Sequence, residues 1–119
     1  MSNDAATWVG AGEDRFGERR GLGISVIQFK VLPEESGGLL VIENTFHAQG
    51  GPARHLHYAQ EEWFYAAEGE FVVEVGEQRF TLRAGDSLLA PRMTPHVWAH
   101  VGSGRGRMLI AFMPAGQME

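Results

Sequence analysis

Glycine, proline, asparagine and aspartate interrupt this chain so regularly that its apolar residues are confined to short runs. LGISVIQFKV at 22–31 gives way to PEESGG, and LLVIENTF at 39–46 to HAQGGPA. EEWFYAAE, EFVVEV, QRFTLR, DSLLAP, TPHVWAH and RMLIAFM then follow, parted by turn signals such as EG, GE, AGD and GSGRG. Short strands with a turn about every 8–12 residues predict an all-β sandwich or barrel. YAQEEWFYAA is the one stretch rich in helix formers. Its apolar residues form no clean stripe, and with EFVVEV and QRFTLR beside it a strand is predicted there as well. Residues 1–20 read as an N-terminal arm, either loose or laid over a sheet edge, and residues 21–119 as a single β-barrel domain.

A chain of 119 residues buries a core without covalent staples. It contains no cysteine, which excludes disulfides, iron–sulfur clusters, thiolate zinc sites and a cysteine nucleophile. Any bound metal is therefore held by nitrogen and oxygen. The formal charge of −5 and the lack of a basic run argue against a nucleic-acid partner. MSNDAATWVGAGEDRFGERR carries no apolar core like that of a signal peptide, and no window is long enough to cross a bilayer. The expected location is the cytoplasm, with no membrane partner.

Within RHLHYAQEEWFYAAEGE, residues 54–70, two of the five histidines stand one residue apart. Side chains alternate along a strand, so His55 and His57 share a face and deliver two imidazoles to one ion. A turn at YAQ returns the chain antiparallel and sets Glu61 or Glu62 beside the pair; alternation alone does not choose between them. His96, after the turn PRMTP, is the candidate third imidazole. Three histidines and one carboxylate suit a single divalent Fe, Mn, Ni, Cu or Zn with a position open for water, substrate or oxygen. The plain alternative is ordinary polar residues on a sheet. Arg54 and Arg92 flank the candidate ligands and read as solvated surface arginines.

At these residues the chain resembles a small single-domain cupin, a double-stranded β-helix barrel of jelly-roll type whose metal ligands lie on two motifs. The first has a glycine, His-x-His, three or four residues, Glu, six residues and Gly; here His55, His57, Glu62 and Gly69 match, and the spacing selects Glu62 over Glu61. The second runs Gly, five residues, Pro-x-Gly, two residues, His, three residues and Asn; here Gly85, Pro91 and His96 match. Three positions depart from the pattern. Gly50 stands one residue closer to His55 than is usual. Met93 takes the place of the second motif's central glycine, so that turn is not expected to use a positive φ. His100 replaces the final asparagine, which is not a ligand in that family. The resemblance covers residues from about 38 to 113.

On the strand pattern Phe64 shares a face with Glu62, and Trp98 and His100 share one with His96. With Met93 at the mouth, they form a candidate substrate pocket whose wall is apolar and aromatic. GGPARHLHYAQEEWFYAAEGEF is similar to the first motif of quercetinase-like dioxygenases. That likeness implies a metal-dependent dioxygenase acting on a small aromatic or enolisable substrate. His55, His57 and His96 would hold the ion, and Glu62 would be both ligand and general base. A metal-dependent isomerase or epimerase and a non-catalytic, metal-stabilised binding barrel are the other readings, since one fold hosts many chemistries. Trp63 and Tyr65 fall on the face away from the interior and need cover, which implies a homodimer.

Overall fold

The structure, a computed structural model, describes residues 6–15, 20–22, 25–51 and 61–113. Arg54, His55 and His57 lie outside the described residues. Among the described residues nine strands and one helical turn follow in the order β1 (Arg20–Leu22), β2 (Ser25–Val31), α1 (Pro33–Ser36), β3 (Leu40–Phe46), β4 (Glu61–Glu68), β5 (Glu70–Val75), β6 (Gln78–Arg83), β7 (Ser87–Ala90), β8 (His96–His100) and β9 (Gly106–Met113). All pairings are antiparallel, in a six-stranded sheet ordered β1-β2-β3-β9-β4-β7 and a three-stranded sheet ordered β6-β5-β8. This is the expected all-β, jelly-roll architecture.

The two-residue period of the sequence becomes the layering of the molecule. In β5 the buried positions are Phe71, Val73 and Val75, and in β8 they are His96, Trp98 and His100. Across from them the larger sheet contributes Phe46, Glu62, Phe64, Ala66, Met108 and Ile110, all buried. Aromatic rings knit the sheets together. Phe46 of β3 meets Phe71 at 5.9 Å and Trp98 at 5.3 Å between ring centroids, both edge-on, and Phe64 of β4 meets Trp98 at 6.2 Å. Edge-to-face rings in a dry interior add to the area they bury.

The outer face of the larger sheet has two characters. Near β7 it is apolar: Trp63 stacks on Tyr65 at 5.7 Å and sits opposite Leu89, with Trp63 40% and Leu89 53% exposed. Toward β2 it is polar and covered by residues 10–15. The Arg15 amide donates to Phe29 O at 2.8 Å, the Phe29 amide donates to Asp14 Oδ2 at 3.2 Å, and the Gln28 side-chain Nε2 donates to Gly12 O. Beneath that cover Glu43 is buried, and it accepts from Arg107 at 2.8 Å with Lys30 at 3.7 Å.

Glu68 extends this charge network, accepting from Arg105 and Arg107 at 3.0 Å each. The Arg105 hydrogen bond, ahead of an opposing burial effect and the further pull of both guanidinium charges, holds its carboxyl below the ordinary carboxylate range. A carboxyl depressed on folding stabilises the fold above its unfolded pKa, and the contribution fades as pH falls through the folded value. The Glu68→Gln variant is thus expected to be modestly less heat-stable than the wild type at pH 7. That gap should close as the pH is lowered into the acid range where Glu68 takes up its proton, read as melting temperature across a pH series; the effect is small because the pair is solvent-screened.

The turn before β8 departs from its sequence-based expectation. Met93 was not expected to adopt a positive φ, yet it does so, at φ 70°, as the one non-glycine residue with a positive φ among the described residues. The tight path of PRMTP imposes the left-handed conformation whichever residue occupies the site, and methionine bears the steric cost. Its side chain is 58% exposed, so it is not anchored by burial. Non-glycine residues in this region carry roughly 1–3 kcal/mol of strain, partly offset by glycine's greater unfolded-state entropy. The Met93→Gly variant should therefore be more stable by about 0.5–1 kcal/mol in denaturant unfolding.

Candidate metal centre

Glu62 and His96 reach each other from opposite sheets. Glu62 lies on β4, an inner strand of the larger sheet, opposite Ala90 on β7 and Phe112 on β9. His96 opens β8 and pairs with Val75 on β5. Because Glu62, Phe64 and Ala66 alternate inward, Glu61, Trp63 and Tyr65 do not, and the carboxylate that meets the histidine is Glu62. Its Oε2 lies 2.9 Å from His96 Nε2, and the two side chains are 1% and 2% exposed.

The other ring nitrogen fixes the sense of this contact. His96 Nδ1 is 3.2 Å from Thr94 O and donates to it, so in the neutral ring Nε2 turns a lone pair toward Glu62. A lone pair and a carboxylate oxygen at 2.9 Å are both acceptors, and something positive, a proton or a cation, has to lie between them. Two ligands each about 2.1 Å from a metal and at right angles stand roughly 3.0 Å apart. The observed separation is a hydrogen-bond length, and two residues this close would also suit a shared cation. A backbone carbonyl holding the second nitrogen is also the usual way a metal-binding imidazole is oriented. The donor set, imidazole nitrogen and carboxylate oxygen without sulfur, fits a divalent transition metal.

Around the pair the walls are apolar. Phe64, fully buried, turns its edge to the His96 ring at a centroid distance of 6.0 Å, and Trp98 lies behind it. Of the residues expected at the site, the structure thus brings together Glu62, His96, Phe64 and Trp98. Met93 stands outward on the turn, and His100 lies about 13 Å further along β8 at four residues' rise. His55 and His57, the other two expected ligands, fall outside the described residues. Among the described residues no group of three or more His, Asp or Glu side chains converges on a point.

One feature escaped the sequence reading: a groove of about 330 Å³ on the outer face, lined by Gln28, Glu43, Thr45, His47, Arg105 and Arg107 and by residues 11–12 of the arm. Its polar residues are spread over β2, β3, β9 and the residues next to them in sequence, and no local motif announces them. No helix among the described residues is long and apolar enough to cross a membrane.

Comparison with known proteins bears on the fold and the family. The sequence profile described as the cupin domain matches residues 43–112. Among curated proteins the chain is 30% identical over 60 residues to the uncharacterized protein MJ1618 of Methanocaldococcus jannaschii, covering 50% of this chain and 48% of that one. It is also 32% identical over 62 residues to a protein of Streptomyces cyaneus named polyketide synthase CurC, covering 52% of this chain and 40% of that one. The aligned part is half or less of either relative's length. Among solved structures, KdgF from a Halomonas species superposes with a TM-score of 0.78 at 17% identity, covering 92% of this chain and 94% of that one. An RmlC-like cupin from Shewanella frigidimarina superposes with a TM-score of 0.75 at 22% identity, covering 96% and 95%.

Proposed function

The chain belongs to the cupin domain family, and on that premise we propose that it is a cytoplasmic, metal-dependent enzyme, a dioxygenase acting on a small aromatic or enolisable compound. The observation that carries the reading is the buried Glu62–His96 contact at 2.9 Å, with His96 oriented by Thr94 O. His55, His57 and His96 would supply nitrogen and Glu62 oxygen to one divalent Fe, Mn, Ni, Cu or Zn. When bound, the ion would bring a deprotonated substrate together with molecular oxygen. Glu62 accepts, at its carboxylate, the proton that the substrate hydroxyl or enol gives up. Phe64 and Trp98 hold a flat ring against the inner wall and keep bulk water from the carboxylate.

The relative named as a polyketide synthase supports the substrate class. Polyketide chains carry carbonyls on alternate carbons, so the C–H bonds between them are acidic and enolise, and their cyclised forms are phenols. Such compounds offer the oxygen that a metal binds and the proton that Glu62 takes.

The test is oxygen uptake by the metal-reconstituted protein with flavonols, catechols and 1,3-diketones. Consumption of oxygen matched by loss of substrate supports the reading. Turnover without oxygen would replace it with isomerisation, and tight ligand binding without product would replace it with a binding barrel.

The assembly belongs to the same proposal. The face of Trp63, Tyr65 and Leu89 is continuous and partly exposed, and a second copy of the chain covers it. Sedimentation as a monomer at all concentrations would remove the dimer and leave the chemistry untouched.

A further inference from the structure

His100 is the most deeply buried titratable side chain for which the proposed chemistry has no use. It is 0% exposed, and its Nε2 is the sole buried side-chain nitrogen or oxygen without a hydrogen-bond partner among the described residues. A buried polar atom left in this way costs free energy, so its retention asks for a compensating role. The ring lies between Phe71 at 5.2 Å and Phe46 at 5.8 Å, and its remaining edge is received by three glycines. A Cβ added to Gly106 would come within 2.7 Å of Nε2 and 2.5 Å of Cδ2, one on Gly102 within 3.2 Å of Nε2, and one on Gly69 within 3.3 Å. Three strands and loops have thus given up their side chains at the same place to admit one imidazole. The charged neighbours turn elsewhere: Glu68 to Arg105 and Arg107, Glu70 toward Arg83, and Arg107 also to Glu43.

What the ring does hold is the chain entering the site. Its Nδ1 donates to Ala48 O at 3.1 Å. The same residue's backbone closes a two-way bridge with Gly50, accepting from the Gly50 amide at 2.9 Å and donating to Gly50 O at 2.8 Å. Gln49 Nε2 donates to Val101 O at 2.8 Å, and Gly51 presses so closely on Trp98 and Ala99 that an added Cβ would overlap the Trp98 carbonyl. Residues 48–51 are therefore fastened to β8, the strand that carries His96 at its other end, and His55 and His57 follow within six residues of Gly51.

We infer that His100 is a positioning residue for the metal site: through Nδ1 it fixes residues 48–51 on β8, the strand that carries His96, at the point from which the sequence runs on to His55 and His57. The inference rests on the metal-site reading for its effect on metal, but the fastening itself is tested without metal.

Two substitutions separate hydrogen bonding from packing. His100→Asn keeps a side-chain N–H where Nδ1 stands and gives up ring volume, whereas His100→Leu keeps an apolar filling and gives up the donor. In metal-free protein, exchange of the Gly50 amide is expected to be at least tenfold faster in His100→Leu than in His100→Asn, with amides of β5 and β6 unchanged relative to each variant's own stability. With Co²⁺ as the probe, His100→Leu should bind at least tenfold more weakly and with an altered visible spectrum, and His100→Asn within about threefold of the wild type. The expected signature is affinity that follows the donor and not the melting temperature. If Gly50 exchange is equal in the two variants, or metal affinity simply tracks stability, His100 is only a core residue and the inference is overturned. If Gly50 exchange differs as expected but the wild type binds no Co²⁺, the fastening stands and the metal-site reading is the part that fails.

Discussion

Replacing Glu62 with glutamine is expected to abolish stoichiometric metal binding while leaving the barrel folded. The wild type, reconstituted with Fe²⁺, Mn²⁺ or Co²⁺, should hold about one equivalent, and Glu62→Gln less than about a tenth of one under the same conditions. The reasoning starts from the contact itself. His96 Nε2 and Glu62 Oε2 are 2.9 Å apart in a dry interior, and the His96 Nδ1–H donates to Thr94 O. A carboxylate there attracts a cation; a carboxamide of the same shape offers a neutral oxygen or an N–H. Changes to groups that merely orient a ligand cost 10–100-fold in affinity, and loss of the anionic ligand itself should cost more. Glutamine can still donate to Nε2, so the pair remains hydrogen-bonded and no charge is stranded, which limits the cost to folding. Glu61→Gln is the matched control, since that side chain leaves the same strand toward the other face. Thermal shift gives a second readout: metal at 100 times its Kd stabilises by about 2.7 kcal/mol, and that increment should be missing only in Glu62→Gln. Undiminished binding by Glu62→Gln would mean that the carboxylate only holds His96 and that the proposed catalytic base is not a ligand.

The choice of Glu62 shows what kind of information the sequence carried well. Strand alternation left Glu61 and Glu62 open, and motif spacing favoured Glu62. Strand β4 turns that residue inward because its period of two also buries Phe64 and Ala66. β5 and β8 were legible for the same reason, their apolar and histidine positions falling on one face. Three features could not be read in this way. The left-handed Met93 is set by the path of its turn, against the local preference of its side chain. Glu43 and Gln28 have the composition of an exposed face, and they are buried because residues 10–15 fold back over them. The glycine cradle of His100 draws Gly69, Gly102 and Gly106 from separate turns and strands. Each depends on contacts between residues far apart in sequence, where neither periodicity nor a short motif has any purchase.

A pair of core substitutions should separate what holds the barrel from what shapes the site. Phe46→Ala and Phe64→Ala each remove a ring that is 2% exposed or less and that touches Trp98 across the sandwich. Truncating a buried phenylalanine costs about 3–5 kcal/mol, the transfer term plus the void left by incomplete collapse. For a domain of 119 residues that is a fall of roughly 12–20 °C in melting temperature. Total stabilities of about 5–15 kcal/mol leave both variants largely folded at low temperature. Their functional consequences should differ because their neighbours differ. Phe46 packs on Phe71 and on His100, away from the carboxylate. Phe64 follows Glu62 by two residues on the same face and turns its edge to His96. Phe64→Ala should therefore admit water to the Glu62–His96 pair and weaken the hold on a flat substrate. KM is expected to rise about tenfold or more, whereas Phe46→Ala keeps KM near the wild-type value when both are assayed well below their melting temperatures. Equal KM values for the two variants would show that the substrate does not lie against Phe64, and would move the binding wall to another part of the interior.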